Sequence, residues 1–253
     1  MISWEIVLIL FFAAFIAGWV DTIAGGGGLI TIPVLMATGM PPQAALATNK
    51  LQGSMGTLIA SFYFIKNKSV SLVDMKLMIL LTLVGSVLGS WFLLQIDAES
   101  LVFLMPILLI VMGVYVLLSP NVNDNEKKQR VSVLFFSLVA CVFLGFYDGF
   151  FGPGTGSLMA LGFMSLLGYG MTKATAHSKI LNFVSNLSSL IYFTFYGEIY
   201  LEYGLIMILG QFFGAKMAVK MVLNKGVNLI KPVVVMVCFI MSVSLIVRQL
   251  DLP

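Results

Sequence analysis

Residues 18–28 read GWVDTIAGGGG, and residues 145–155 read GFYDGFFGPGT, so one pattern occurs twice in the chain. Four positions recur at an offset of 127 residues, pairing Gly18 with Gly145, Asp21 with Asp148, Gly25 with Gly152 and Gly27 with Gly154. Further on, ATNKL at 47–51 corresponds to AHSKI at 176–180, at an offset of 129. We therefore predict two halves built from the same elements in the same order.

Each glycine cluster is followed by an apolar run too short to cross a membrane. The runs 28–39 and 155–168 have 12 and 14 residues. A helix of that length extends about 18–21 Å, whereas the hydrocarbon core of a bilayer is about 30 Å thick. We interpret each cluster as the tip of a helical hairpin that turns back inside the membrane, where irregular backbone needs protein or a wet cavity around it. The alternative is that the glycines only permit close helix packing.

The composition identifies the class of protein. Apolar residues make up 60% of the 253 residues and charged residues 10%, against about 25% charged in soluble domains. A soluble or disordered chain is excluded, and the +3 net charge lacks the clustering of a nucleic-acid site. Eight further apolar runs are long enough to span a bilayer; they are 4–24, 42–65, 72–95, 98–118, 131–151, 172–195, 201–222 and 227–249.

These runs predict an all-α polytopic membrane protein with two inverted repeats, each a broken-helix hairpin plus three transmembrane helices. The predicted units are a first repeat at 1–118, a cytoplasmic linker at 119–130 and a second repeat at 131–253. We expect no removed signal peptide, because the N-terminus lacks a basic region and a cleavage site.

The charges of the loops predict the orientation. The loops 66–71, 119–130 and 223–231 carry lysine or arginine, whereas the loops 95–100 and 197–202 carry only acidic charges. Cations concentrate on the cytoplasmic side. The alternation predicts opposite openings for the two hairpins, both termini outside, and residence in the cell membrane.

Two lysines and two aspartates lie inside the apolar runs. Lys50 and Lys179 are about 11–12 Å from the nearest helix start and occupy equivalent positions, as do Asp21 and Asp148. An uncompensated lysine there costs about 2.5–3.5 kcal/mol. One interpretation is a pair of structural Lys–Asp bridges. The other is that the lysines attract an anion, with the aspartates positioning them.

The polar neighbours of the lysines favour the second interpretation, since Asn49 and Gln52 flank Lys50 while His177, Ser178 and Asn182 flank Lys179. The helix starts after the glycine clusters could also bind an anion, because they combine unpaired N–H groups with the positive end of the helix dipole. We predict neither an enzyme nor a metal or cofactor site. The predicted substrate-binding residues are Lys50, Lys179, Asn49, Gln52, His177, Ser178, Asn182, Gly27, Gly28, Gly154, Thr155 and Gly156. His177, Asp21 and Asp148 are candidates for proton coupling or charge partnership.

The motif G-x-x-D-T-x-x-G-G-G-G from Gly18, with A-T-N-K ending at Lys50, resembles the TauE/SafE sulfite-exporter family. The second half repeats it as G-x-x-D-G-x-x-G-P-G-T-G and A-H-S-K. The resemblance implies a cytoplasmic-membrane permease for sulfite, organosulfonates or related small anions. Pro153 replaces Gly26, and His177-Ser178 replaces Thr48-Asn49, so we expect an asymmetric site.

The expected function is secondary transport of a small sulfur-containing anion by alternating access between inverted repeats. An anion channel or facilitator and a transporter of small carboxylates remain open, as does a membrane protein whose buried charges are only structural. The expected partners are the anion and the lipid bilayer, with no nucleic acid. A homodimer is left open.

Overall fold

The computed structural model describes residues 2–118 and 125–222, and every regular element in these ranges is a helix. In chain order the helices are α1 (Trp4–Ala24), α2 (Gly28–Ala37), α3 (Pro42–Lys66), α4 (Lys76–Gln95), α5 (Ala98–Leu118), α6 (Val133–Phe150), α7 (Thr155–Leu166), α8 (Met171–Tyr196) and α9 (Leu201–Val222). The predicted all-helical membrane fold is confirmed. The predicted run 227–249 and linker residues 119–124 lie outside the described ranges, and the division into two repeats stays a prediction.

The two short helices begin where the sequence predicts. α2 has 10 residues and α7 has 12, and each follows a glycine turn. Both helices end two residues earlier than the apolar runs, because the chain turns at Gly39 and Gly168. These glycines have φ of 92° and 74°, the left-handed conformation that ends many helices and that a Cβ disfavours.

Four helices in the described part of the chain are long and apolar enough to cross a membrane, namely α1, α4, α5 and α6. Helices α3 and α8 have 25 and 26 residues, but they carry many serine, threonine and asparagine side chains, most of which are buried. Large apolar side chains such as Leu8, Phe12 and Phe103 are exposed instead. The two polar helices therefore occupy the protein interior, with apolar surfaces outside that suit lipid.

Equivalent helices of the two halves make equivalent contacts, each with a helix of the other half. α1 packs against α9, and α6, the counterpart of α1, packs against α4. A Cβ on Gly18 would lie 2.6 Å from the Gln211 carbonyl oxygen, and one on Gly145 would lie 2.4 Å from that of Thr82. Gly145 follows Gly18 by 127 residues and Gln211 follows Thr82 by 129. Equivalent glycines thus make equivalent close contacts with the opposite half.

The central helices α3 and α8 run antiparallel. The Ser61 hydroxyl, late in α3, donates to the carbonyl of Lys179, early in α8, at 2.9 Å. The Tyr200 N–H, just beyond α8, donates to the hydroxyl of Thr48, early in α3, at 3.0 Å. Each of these helices follows directly on a hairpin, so the hairpins α1–α2 and α6–α7 are joined to opposite ends of the central pair.

One backbone feature breaks the similarity of the halves. α6 contains a π-helical stretch, Phe136–Cys141, whereas its counterpart α1 is α-helical from Trp4 to Ala24. A π-helical turn shifts the register of the residues that follow it. The sequence analysis predicts a regular helix here, and no residue type in this stretch indicates the change.

Candidate functional site

The first tip (residues 25–27) joins α1 to α2 and carries Asp21 in the turn before it. Gly25 ends α1 with φ of 77°, and its N–H donates to the Asp21 carbonyl at 2.8 Å. The Gly27 N–H approaches Asp21 Oδ1 at 3.4 Å. The tip therefore holds the Asp21 carboxylate through main-chain groups.

The second tip (residues 151–154) joins α6 to α7 in the same way and carries Asp148 before it. Gly152 and Gly154 have φ of 94° and 80°, so a side chain would be strained at either position. The Tyr147 hydroxyl donates to the Pro153 carbonyl at 2.8 Å. The Thr155 hydroxyl donates to the Gly152 carbonyl at 2.7 Å. Side chains as well as main chain hold this tip.

The two tips touch at the centre of the protein. A Cβ on Gly25 would lie 2.4 Å from the Ser157 nitrogen and 2.7 Å from Gly156 Cα. A Cβ on Gly28 would lie 3.3 Å from Pro153 Cα. Glycine at the first tip is therefore required by this contact as well as by its φ. The N-termini of α2 and α7 are brought together here, as the predicted hairpins require.

Two ion pairs cross between the halves. Lys50 Nζ lies 3.1 Å from Asp148 Oδ1, and Lys179 Nζ lies 3.0 Å from Asp21 Oδ2. Each lysine also donates to the main-chain carbonyl of its aspartate. Both lysine side chains are 1% exposed. Each lysine of a central helix is thus attached to the broken helix of the other half, which satisfies both buried charges.

The aspartates differ in their further contacts. Asp148 accepts a hydrogen bond from the Ser185 hydroxyl in addition to Lys50. Asp21 accepts a long hydrogen bond from the Gly27 N–H in addition to its contact with Lys179. The side chain of Asp148 is 2% exposed and that of Asp21 is 12% exposed. The second carboxylate is therefore the more enclosed.

A small polar cavity lies beside these pairs. It offers about 20 Å³ to the centres of water molecules, enough for about one water. Its lining comes from both tips, both central helices and α9, and consists of Asp21, Gly25, Gly27, Gly28, Asn49, Gln52, Gly53, Thr57, Asp148, Gly152, Gly154, Asn182, Asn186 and Gln211. A ligand larger than water needs these elements to move apart.

Hydrogen bonds orient the Asn49 amide in this lining. Asn49 Oδ1 accepts from the Thr31 hydroxyl at 2.6 Å and from Gln52 Nε2 at 2.6 Å. Because the oxygen is engaged, the NH₂ group is the edge that Asn49 offers to the cavity. A Cβ on Gly28 would lie 3.5 Å from Asn49 Nδ2, so this donor lies at the start of α2.

The Asn182 amide has the same orientation in the second half. Asn182 Oδ1 accepts from Asn186 Nδ2 at 2.8 Å, which again leaves the NH₂ group for the cavity. A Cβ on Gly156 would lie 3.1 Å from Asn182 Nδ2. One amide donor therefore lies beside the start of each short helix. Amide donors and helix N-termini together suit an anion.

The structure brings eight of the predicted site residues into the cavity lining. They are Asp21, Gly27, Gly28, Asn49, Gln52, Asp148, Gly154 and Asn182. The other six lie outside that lining, and they are Lys50, Lys179, His177, Ser178, Thr155 and Gly156. The two lysines still contact the lining through their aspartates, and Gly156 contacts the first tip.

His177 and Ser178 have structural partners away from the cavity. His177 Nδ1 lies 2.7 Å from the Lys173 carbonyl, and its ring packs against those of Phe163 and Tyr169. The Ser178 hydroxyl donates to the Thr175 carbonyl at 3.1 Å. Both side chains therefore serve the packing around the start of α8.

Six lining residues were not predicted, namely Gly25, Gly53, Thr57, Gly152, Asn186 and Gln211. Gln211 carries the clearest signal, because it is the one carboxamide in the run 201–222 and the charged residues of that run lie towards its two ends. It is 2% exposed, and its Oε1 is buried without a hydrogen-bond partner among the described residues. An isolated buried amide in a membrane helix indicates a polar neighbour.

Membrane-length helices, two hairpins that meet at buried charges and a closed polar cavity define a polytopic membrane protein of the broken-helix type, an architecture shared by many transporters. The family model described as "Sulfite exporter TauE/SafE" matches residues 10–245, so the chain belongs to the TauE/SafE family. The resemblance stated from the motifs is confirmed.

Similar proteins carry names that agree with this class. The chain is 45% identical over 245 residues to a "Probable membrane transporter protein" of Haemophilus influenzae, covering 97% of this chain and 96% of the relative. It is 47% identical over 246 residues to "Probable membrane transporter protein YfcA" of Escherichia coli, covering 97% and 91%. No solved structure matches the chain. The family and these names identify a membrane transporter.

Proposed function

We propose that the chain is a secondary transporter of a small sulfur-containing anion, such as sulfite or an organosulfonate, in the cell membrane. The anion binds in the central cavity between the two tips. The halves act as inverted repeats that rock against each other and expose the cavity to each side in turn. Both termini face outward, and the linker 119–130 faces the cytoplasm.

The observation that carries this proposal is the set of donors around the cavity. The NH₂ groups of Asn49 and Asn182 lie beside the starts of α2 and α7. Helix N-termini and amide donors can bind an anion without a positively charged side chain in direct contact with it, because the donors are already oriented towards the cavity. The two ion pairs add no net charge, so the donors and dipoles provide the selectivity for a small oxyanion.

The size of the cavity and the exchanged contacts support a carrier over a pore. A cavity that admits about one water is too small for the anion in this conformation, which fits a carrier that rearranges during transport better than an open channel. The antiparallel course of α3 and α8 supports inverted repeats, because equivalent helices of inverted repeats point in opposite directions.

The first test is a thermal-shift screen of the purified protein with sulfite, sulfate, thiosulfate, short sulfonates and short carboxylates. A ligand at one hundred times its Kd stabilises the folded state by about 2.7 kcal/mol. We expect one class of sulfur anion to raise the melting temperature of the wild type but not of Asn49→Ala or Asn182→Ala. Stabilisation by carboxylates alone would show that the substrate is a small carboxylate and not a sulfur-containing anion.

A matched control is Asn67→Ala, because Asn67 caps the exposed end of α3 and donates to the Tyr63 carbonyl at 3.0 Å. This variant should keep the ligand-induced shift. Proteoliposomes then separate carrier from channel. Unlabelled anion inside the vesicles should accelerate uptake of labelled anion by counterflow, and uptake should saturate. A flux that is linear in concentration and lacks counterflow would establish a channel instead.

A further inference from the structure

The two crossed ion pairs have the same geometry but different surroundings. Asp148 is covered by the Ser185 hydroxyl as well as by Lys50. The residue equivalent to Ser185 at an offset of 129 is Gly56, which has no hydroxyl to donate to Asp21. The aspartates therefore occupy equivalent positions with unequal stabilisation of their negative charge.

Asp21 is also the more exposed of the two aspartates. Its side chain is 12% exposed, against 2% for Asp148, although both contribute to the lining. Asp21 is paired with Lys179 on α8, and Asp148 on α6, which has its own partner Lys50 on α3, lines the same cavity. Helix α9 presents Gln211 towards α1, and its exposed Lys216 lies over the Phe212 ring. Helices α2 and α7 contain no acidic or basic residue.

The charge of the cluster limits anion binding. Lys50, Lys179, Asp21 and Asp148 together sum to zero when all are ionised. A carboxylate beside the cavity also repels an incoming anion, because it accepts hydrogen bonds and offers none. Removal of one negative charge would leave a net charge of +1 and would free one lysine ammonium for the ligand.

We propose that Asp21 is a proton-binding site that couples proton and anion movement, so that the protein is a proton–anion symporter. This inference rests on the proposed function and names its coupling ion. A proton from water in the cavity binds a carboxylate oxygen of Asp21. Lys179 keeps all its protons and turns its ammonium towards the anion. Proton and anion leave together on the other side, and no bond of the anion changes.

The first tip links this step to conformation. The Gly27 N–H contacts Asp21 Oδ1, and Lys179 holds both the carboxylate and the carbonyl of Asp21. Protonation weakens the charge-assisted contacts at this point. Asp148 keeps Lys50 and Ser185 and acts as a fixed counter-charge. One tip is released while the other stays attached.

The test measures binding of methanesulfonate to the full chain in detergent between about pH 5 and pH 8. A sulfonate stays ionised throughout, so any pH dependence comes from the protein. Linkage is reciprocal, and wild-type affinity should therefore rise about tenfold for each unit that the pH falls, until Asp21 is fully protonated. Asp21→Asn mimics the protonated state and should bind tightly with no pH dependence.

Transport provides a second readout. In proteoliposomes containing a pH-sensitive dye, an inward methanesulfonate gradient should acidify the lumen with the wild type. The same gradient should drive no proton movement with Asp21→Asn. Wild-type binding that is independent of pH, or Asp21→Asn that still moves protons, would overturn the proposal and leave anion transport standing. Failure of any anion to bind the wild type would refute the proposed function itself.

A second variant keeps the test decisive if Asp21→Asn folds poorly. Gly56→Ser places a hydroxyl where Ser185 stands in the other half. A Cβ there would lie 2.4 Å from Gln211 Nε2 and 2.8 Å from its Cγ, so the whole Gln211 side chain must turn away to admit the serine. The added donor stabilises the ionised carboxylate, so the rise in anion affinity should move to lower pH. An unchanged pH profile in this variant would also count against Asp21.

Discussion

The first and second tips occupy equivalent places, but hydroxyl groups hold the second more extensively than the first, where the Thr31 hydroxyl donates to the Gly27 carbonyl at 3.2 Å. The Tyr147 hydroxyl donates to the Pro153 carbonyl, and the Thr155 hydroxyl donates to that of Gly152. A third hydroxyl, on Ser185, donates to the carboxylate of Asp148. These three contacts fix the second tip to its own hairpin and to α8.

The first tip has no hydroxyl at the corresponding positions. At the offsets of 127 and 129, the counterparts of Tyr147, Thr155 and Ser185 are Val20, Gly28 and Gly56. The repeat thus retains the lysine and aspartate of each ion pair, while the three hydroxyls that support the second tip have no counterpart in the first half. The comparison teaches that equivalent tips can be held to different degrees, with three hydroxyl contacts around the second tip and one, from Thr31, at the first.

The largest difference should appear when either aspartate loses its charge. In Asp148→Asn, Lys50 remains fully buried without a counter-charge, which destabilises a protein by about 3–5 kcal/mol. Asp21→Asn should cost less, because the Asp21 side chain is 12% exposed against 2% for Asp148, although Lys179 is buried as deeply as Lys50. Thermal unfolding of both variants in one detergent measures the difference.

Added methanesulfonate sharpens this experiment. The anion can replace the lost charge beside Lys179, so it should restore most of the stability of Asp21→Asn. It should restore less in Asp148→Asn, because the proposed mechanism turns Lys179, and not Lys50, towards the anion. Equal rescue of both variants would show that the two pairs are equivalent, and the comparison would fail.

The next largest effect concerns the contact between the tips. Gly25→Ala meets a strained φ, worth about 1–2 kcal/mol, and a backbone clash with Ser157, worth about 1–3 kcal/mol more. The matched control is Gly39→Ala at the end of α2. Gly39 has φ of 92°, but no described atom lies within 4 Å of an added Cβ, so only strain remains.

The difference between the two glycine variants isolates the tip contact. It should be visible as a lower melting temperature for Gly25→Ala and as slower exchange of anion in counterflow. If both variants lose the same stability, the tips do not press on each other as this structure has them.

The sequence alone predicts most of the architecture, because the signals are local. The composition and length of an apolar run predict a membrane helix. The glycine clusters predict where the two hairpins turn. The repeat then pairs equivalent elements. The π-helical stretch Phe136–Cys141 leaves no such signal, since neither the residue types nor the length of the apolar run differ from those of a regular helix.

The site is predicted only in part, because the sequence does not show which side chains meet in the folded protein. The sequence identifies Lys50 and Lys179 as buried charges, but it leaves open whether they bind a ligand or an aspartate. That each lysine pairs with the aspartate of the other half follows from the crossing of the halves. Gln211 enters the cavity from α9 for the same reason. His177 looks chemically suitable, yet its ring packs between aromatic neighbours.

A smaller effect should follow from removing the hydroxyl that distinguishes the two aspartates. Ser185→Ala deletes one hydrogen bond to a buried carboxylate, worth about 1.5–3 kcal/mol. It also makes the surroundings of Asp148 resemble those of Asp21. We expect a lower melting temperature than that of the wild type, measured by thermal unfolding in one detergent. Ser188→Ala, which removes a hydroxyl bonded only to α8 carbonyls, is the control and should lower the melting temperature less.

The smallest effect concerns the Tyr147 hydrogen bond that holds the second tip. Tyr147→Phe removes one neutral hydrogen bond to the Pro153 carbonyl and should cost about 0.5–1.5 kcal/mol. The effect of Tyr147→Phe on transport is more informative than its effect on stability. In this variant the second tip should resemble the first, where Val20 provides no hydroxyl. If fixation of one tip sets the order of opening, hydrogen exchange at residues 151–154 should accelerate in this variant, while exchange at residues 25–27 stays the same. Acceleration at both tips would mean that they move as one unit, and the division between a fixed and a mobile half would be wrong.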